Sequence, residues 1–302
     1  MRIKLRHVEV LIALSETGSI RAAARLLRLS QPALSKVIRQ MENDFNVPLI
    51  ARTPRGAILT EFGQTILAHA RVVQADVRRL EDEIDRLRGR QKGTITVAVS
   101  PLASTLIIPA VLPPFCAKYA DIEVKISEGI YPPVLAPLRD GLIDFAVGPA
   151  PPAFLAAELD VEILLETEIV VTGRFDHPAK KAKSLRDLTK RNWLTLGPAG
   201  SLGELFVEAF ETRGLKPPRT TIKSESFATA LALVEATDFL VVLPRKLVAP
   251  LQAQKRLQAI ELEDELPKSR IALSKRSTIP LSPAAQHLST LIRRRASALA
   301  RS

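Results

Sequence analysis

Apolar residues in the first ninety positions recur at every third or fourth place, the spacing of one helix face, whereas beyond residue 93 they gather into short runs. Segment 19–42 predicts two short amphipathic helices joined by a tight turn. Ser19 and Ser30 are each placed to cap a helix, and Pro32 falls in the first turn of the second, where its missing N–H costs nothing. In that second helix Leu34, Val37, Ile38 and Met41 form the buried stripe. Gln31, Ser35 and Arg39 step along the other face with Lys36 beside them. Ala23, Ala24 and Leu27 on the first helix let the pair cross closely. Spacing alone fits a generic α-hairpin as well as a helix-turn-helix that lays its second helix in a DNA groove.

From Thr60 to Gly89 there is no proline, and Gly63 is the sole glycine before the end. Ile66, Ala70, Val73, Val77, Leu80, Ile84 and Leu87 alternate steps of four and three, a coiled-coil seam flanked by charges of both signs. A dimer is the reading this favours; packing of a lone helix on its own domain is the alternative. Gly89–Gly93 then reads as a hinge. The later apolar runs predict strands at 94–99, 122–127, 145–147, 168–172, 220–224, 239–243, 257–260 and 271–273. Helical stretches between many of them indicate α/β units around largely parallel sheets, in a stretch long enough for two lobes.

Charge sharpens this picture. The 302 residues carry 43 Lys/Arg against 32 Asp/Glu, a formal charge of +11, which favours a polyanionic partner. Residues 1–58 hold ten Lys/Arg and four Asp/Glu, a local net of +6. Arg52–Leu59, with Pro54-Arg55-Gly56 at its tip, reads as a basic hairpin able to clamp phosphates beside the helix pair. The single cysteine, Cys116, excludes an internal disulfide and lies in an apolar run. The four histidines show no metal-ligand spacing, and no nucleophile elbow, phosphate loop or zinc helix appears. No catalytic residue, metal or cofactor is expected. Glu9 and Glu16 break the first apolar stretch, so it reads as a domain helix rather than an export signal, and a cytoplasmic location is expected.

The run from Ala23-Ala24 through Leu27, Ser30-Gln31-Pro32-Ala33-Leu34-Ser35 and Ile38 resembles the winged helix-turn-helix of LysR-type transcriptional regulators. So do Glu42, Pro48-Leu49, Arg52-Thr53, Arg55-Gly56 and Leu59-Thr60-Glu61 with Gly63. Within the family, the chain is similar to the toluenesulfonate- and galactose-binding-protein-regulator branch. The resemblance implies a winged helix-turn-helix at 1–59, a dimerising linker helix at 60–89, and a periplasmic-binding-protein-like effector domain at 90–302. Its first lobe is placed at 92–166 plus 269–302 and its second at 167–268. Asp238 stands where most members have glycine.

Gln31, Pro32, Ser35, Lys36, Arg39, Arg52 and Arg55 are the expected DNA-binding residues. Gln31 and Lys36 are suited to adenine and guanine edges, and the wing arginines to phosphates. Ser100, Pro101 and Ser104, where the first strand of the α/β region meets a helix, and Ser201 in a glycine-rich turn are the expected effector contacts. Ser100 serves equally well as a plain helix cap. Free amides at a helix start favour an anionic effector such as a sulfonate or carboxylate, with a neutral sugar left open. The implied partners are double-stranded promoter DNA, the effector, further copies of the chain as dimer or tetramer, and RNA polymerase. Tyr131 and Ser226-Phe227 are weaker candidates. Rival readings are an exported solute-binding protein, a nucleoid protein without ligand control, and an enzyme built on the α/β half.

Overall fold

Each of the first three helices is bounded by a residue suited to a helix end. Helix α1 (Leu5–Thr17) stops at Gly18, which takes a φ of +60° without strain and whose N–H bonds the Leu14 carbonyl. Helix α2 (Ile20–Leu26) starts at Ser19, whose hydroxyl accepts the Ala22 N–H. Helix α3 (Gln31–Phe45) starts at Ser30, which accepts the Ala33 N–H, with Pro32 in its first turn. Strands β1 (Ile50–Thr53) and β2 (Gly56–Leu59) pair antiparallel, and the 27-residue helix α4 (Glu61–Leu87) follows. The computed structural model describes residues 3–53, 56–88, 92–129, 131–197 and 202–301, excepting the side chains of Arg52, Thr53 and Arg86.

Helix α1 is buried on two sides. Val8, Leu11 and Ile12 join Met41, Leu49, Leu67 and Ala70, while Val10 and Leu14 join Ala23, Ala24, Leu34 and Ile38. The N-terminal third of α4 therefore belongs to this core through Leu67 and Ala70. Farther along α4 the expected seam lies open, with Val73, Leu80, Ile84 and Leu87 exposed.

The other compact unit is formed by Gly93–Arg139 with Ile143–Ser302. It opens with β3 (Gly93–Val99), α5 (Pro101–Leu106), α6 (Ile108–Lys118), β4 (Ile122–Glu128), α7 (Leu135–Arg139) and β5 (Phe145–Pro149). β3 pairs in parallel with both β4 and β5. Burial of the consecutive residues Val97, Ala98 and Val99 is what a strand covered on both faces requires. The 16-residue β6 (Leu159–Arg174) then carries the chain into a second lobe. There follow α8 (Leu185–Leu188), β7 (Trp193–Leu196), α9 (Leu202–Glu211), β8 (Thr220–Ser224), α10 (Phe227–Ala236), β9 (Val241–Pro244), α11 (Arg245–Ala253) and β10 (Leu257–Ile260). The return strand β11 (Lys268–Arg276) and helix α12 (Pro283–Arg301) complete the first lobe. Leu288, Ile292 and Ala296 of α12 fill the same core as Phe115, Phe145 and Val97.

Three features differ from the sequence reading. The sheets are not largely parallel: β11 pairs antiparallel with both β5 and β6, and β9 and β10 pair antiparallel with β6. The strand expected at 168–172 is more than three times as long, because its first half, with charges at alternate positions, continues the ladder against β11. Strand β7 was not anticipated; four residues around a tryptophan give no periodicity, yet they pair in parallel with β8. Asp238 also has a structural account. Its carboxylate accepts from the Arg174 guanidinium at 2.8 Å, and its carbonyl lies 3.1 Å from Nε2 of the buried His177.

Trp193, the sole tryptophan, is fully buried in the second lobe against Phe206 and Phe210, and its indole N–H bonds the Leu188 carbonyl. Replacing Phe210 by alanine should cost ~3–5 kcal/mol, the range for a buried phenylalanine. A urea titration followed by Trp193 emission reads this directly, and an unmoved midpoint would contradict the packing.

Candidate nucleic-acid interface and ligand cavity

The turn between α2 and α3 is fixed by Arg28 in the left-handed region, φ +54°, and by the Leu29 N–H bonding the Ala24 carbonyl. Leu34, Ile38 and Met41 anchor α3 inward. Gln31, Pro32, Lys36 and Arg39 are exposed, and Ser35 is half-buried between them. The Arg39 guanidinium donates to the Ser35 carbonyl at 3.3 Å, which holds its stem along the open face. Four polar side chains thus share one free surface at the start of a helix, beside a local excess of positive charge. Arg55 and the Arg52 side chain lie outside the described residues.

The position of the wing strands is set by contacts that the helix pattern did not reveal. One oxygen of Glu42, at the end of α3, accepts the N–H groups of Leu49 and Ile50 at 2.9 and 3.2 Å. Thr60 donates its hydroxyl to the Pro48 carbonyl and accepts the Gly63 N–H, so it ties the hairpin to the first turn of α4. A Cβ on Gly63 would sit 2.2 Å from the Leu49 carbonyl oxygen, a contact only glycine permits. Gly56, at φ +137°, is equally constrained by the Gly18 carbonyl.

In the α/β unit a cavity of about 290 Å³ lies at the carboxyl ends of six strands. Ser100, Gly129 and Pro149 mark the ends of β3, β4 and β5; Gly197, Glu225 and Pro244 mark those of β7, β8 and β9. Ligands of open α/β sheets bind at such strand ends. Leu102, Phe227, Leu247 and Ile271 supply much of the apolar wall, and Ser269 comes from β11. Both lobes contribute, joined by β6 and β11 where Thr167 pairs with Ser269.

Ser100 is buried, lines the cavity and caps α5 through the Ala103 N–H; Pro101 lines the cavity beside it. Ser104 does not line it, since it lies one turn farther on with its N–H bonded to the Ser100 carbonyl. Ser201 lies outside the described residues. Tyr131 is not in the wall either; burial pushes its phenol above the usual range, with Glu204 adding repulsion. The sequence reading missed Glu128, Glu225, Ser269 and Leu247. Nothing local marks them, because the fold assembles them from positions 128 to 269.

Residues 5–64 match the family model of the bacterial regulatory helix-turn-helix protein, lysR family, and residues 88–297 match that of the LysR substrate binding domain. The chain belongs to the LysR family. This LysR-family protein is a DNA-binding transcriptional regulator with an effector-binding domain, and not an enzyme. It is 28% identical over 250 residues to the HTH-type transcriptional regulator GbpR of Azospirillum brasilense, covering 82% of this chain and 73% of that protein. It is 28% identical over 289 residues to GalR of Pseudomonas putida, covering 95% and 73% respectively. The fold matches the crystal structure of CbnR, a LysR family transcriptional regulator, with a TM-score of 0.71 over 97% of this chain and 99% of that one, at 22% identity. Among the described residues no helix is long and apolar enough to cross a membrane, and no cluster could hold a metal ion.

Glu42 and the α3 face give separable outcomes. Replacing Ser35 and Lys36 together by alanine should abolish selective retardation of promoter DNA while the circular-dichroism melting curve stays in place. Glu42→Ala should instead lower stability by roughly 1–3 kcal/mol, because it strands the N–H of fully buried Leu49, and weaken DNA binding with it. Equal melting curves for both variants would refute the role given to Glu42.

Proposed function

We propose that this regulator works in the cytoplasm as a homo-oligomer, a dimer through α4 and a tetramer from two dimers, on double-stranded promoter DNA. Gln31, Ser35 and Lys36 face base edges or adjoining phosphates, Pro32 shapes the helix start, and Arg39, Arg52 and Arg55 hold the backbone. The effector sits in the strand-end cavity against Ser100 and Pro101, with Ser104 and Ser201 as outlying candidates. Its binding alters the lobes, the shape of the oligomer and the bend of the DNA, and hence contact with RNA polymerase. This requires unequal affinity for the two states. Domain bounds of 1–59, 60–89 and 90–302, with lobes at 92–166 plus 269–302 and 167–268, are part of this reading.

The observation that carries it is a cavity walled by two lobes that only β6 and β11 connect, within a chain whose other end presents a free polar helix face. Leu80 and Leu87, 60% and 75% exposed, support dimerisation, since a monomer gains nothing by keeping such a stripe wet. Sequence-selective gel retardation at moderate salt, with the promoter region beside the gene, tests DNA reading; its absence would sink the proposal. Leu80→Glu combined with Ile84→Glu should yield monomers in sedimentation analysis and lose two-half-site binding. Ser100→Ala should blunt the effector response yet spare DNA binding, and a normal response would remove Ser100 from the site.

A further inference from the structure

The charge of the cavity wall is unusual for this chain. With 43 Lys/Arg against 32 Asp/Glu overall, a random patch of surface should carry a cation first. Yet the charged residues of the wall are Glu128 and Glu225, and no Lys, Arg or His lines it among the described residues. The neighbouring positions outside that description, Ile130 and Pro198–Ser201, add no basic side chain either. Both glutamates are exposed, and neither makes a hydrogen bond or ion pair among the described residues, so the wall presents two carboxylates with no protein cation against them. Ser269 also lines the wall and is only 3% exposed, and its hydroxyl makes no hydrogen bond to any described residue. A hydroxyl in a cavity wall that has no protein partner is open to one supplied by whatever occupies the cavity.

The helix end beside them offers an anion little. α5 has six residues, Pro101 has no N–H, Ser100 already accepts the Ala103 N–H, and the Ser104 N–H is in the helix ladder. At this helix end only the Leu102 N–H is left, and the described wall carries two negative charges and no positive one. An anionic effector would be repelled where it needed neutralising.

Resting on the reading of this cavity as the effector site, we propose that the effector is a small organic cation, an ammonium group on an apolar body, with the ammonium held by Glu128 and Glu225. Ser269 accepts a further N–H or a hydroxyl of the same molecule, and the wall formed by Leu102, Phe227, Leu247 and Ile271 takes its carbon skeleton. An ammonium has three donors and no acceptor, which matches a wall of carboxylates and an accepting hydroxyl.

The test pairs amines with carboxylates of matched skeleton: phenethylamine with 3-phenylpropanoate, and cyclohexylmethylamine with cyclohexaneacetate. Each is titrated calorimetrically into the full-length protein. The amines should bind and the carboxylates should not, and the doubly substituted Glu128→Gln, Glu225→Gln protein should lose amine affinity by about tenfold or more. Leu247→Trp, with Phe227→Trp as the milder filling variant should the first misfold, should remove amine binding altogether. Carboxylates that bind as well as the amines, and are lost on filling the cavity, would overturn the charge inference and leave the cavity reading standing. Amine binding that survives both filling variants would overturn the cavity reading and this inference with it. A panel in which nothing binds would overturn the inference as well.

Discussion

The antiparallel pairing of β6 with β11 is the constraint on which the α/β unit depends. Lys268–Arg276 runs beside Leu159–Glu168, and the same two strands are the only covalent routes between the lobes. Because they pair with one another, the lobes can neither separate nor shear freely, and their strand ends stay pointed at a common space. The cavity follows from that geometry: three parallel strand ends on one side, three on the other, and Ser269 on the crossing strand itself. Beyond the crossing, the later half of β6 exchanges β11 for β9 and β10, so one strand serves both sheets.

In the N-terminal unit, polar groups do the corresponding work at close range. α1 supplies apolar residues to two cores at once, which fixes α2, α3 and α4 about it. The hairpin has too few residues to build a core of its own. It is held by the Glu42 carboxylate, the Thr60 hydroxyl and two places where only glycine fits, against Leu49 and Gly18. The polar face of α3 is left exposed because Leu34, Ile38 and Met41 anchor the helix from its other side.

Legibility in the sequence tracked how local each determinant was. The helix caps at Ser19 and Ser30, the stripe of Leu34, Ile38 and Met41, and the small residues Ala23 and Ala24 announce themselves within a few positions, and the structure shows them so placed. The α4 seam was readable as a period; Val73, Leu80, Ile84 and Leu87 of it are exposed, whereas Ala70 is buried in the N-terminal core. Strand direction was not readable, since the alternation of strands and helices looks the same whether a strand joins its sheet parallel or antiparallel. β7 was too short to show a pattern. In the cavity, Ser100 and Pro101 were legible as a strand-to-helix junction. Glu128, Glu225 and Ser269 were not, because each is an ordinary strand-end or strand residue until three distant segments meet. The helix-end amides behind the expectation of an anionic effector are a local feature, whereas those carboxylates enter the wall only through the fold.

The nesting of one lobe inside the other has a consequence for synthesis on the ribosome. The second lobe is contiguous between β6 and β11, whereas the first lacks its strand β11 and its core helix α12 until Lys268–Arg301 is made. Val97, Phe115 and Phe145 are made well before Leu288 and Ile292, which fill the same core. The two apolar cores of the DNA-reading unit, by contrast, draw only on residues up to Ala70. The chain therefore gains its means of holding DNA well before its means of listening. A chain stopped anywhere before β11 would hold a reader with no completed sensor.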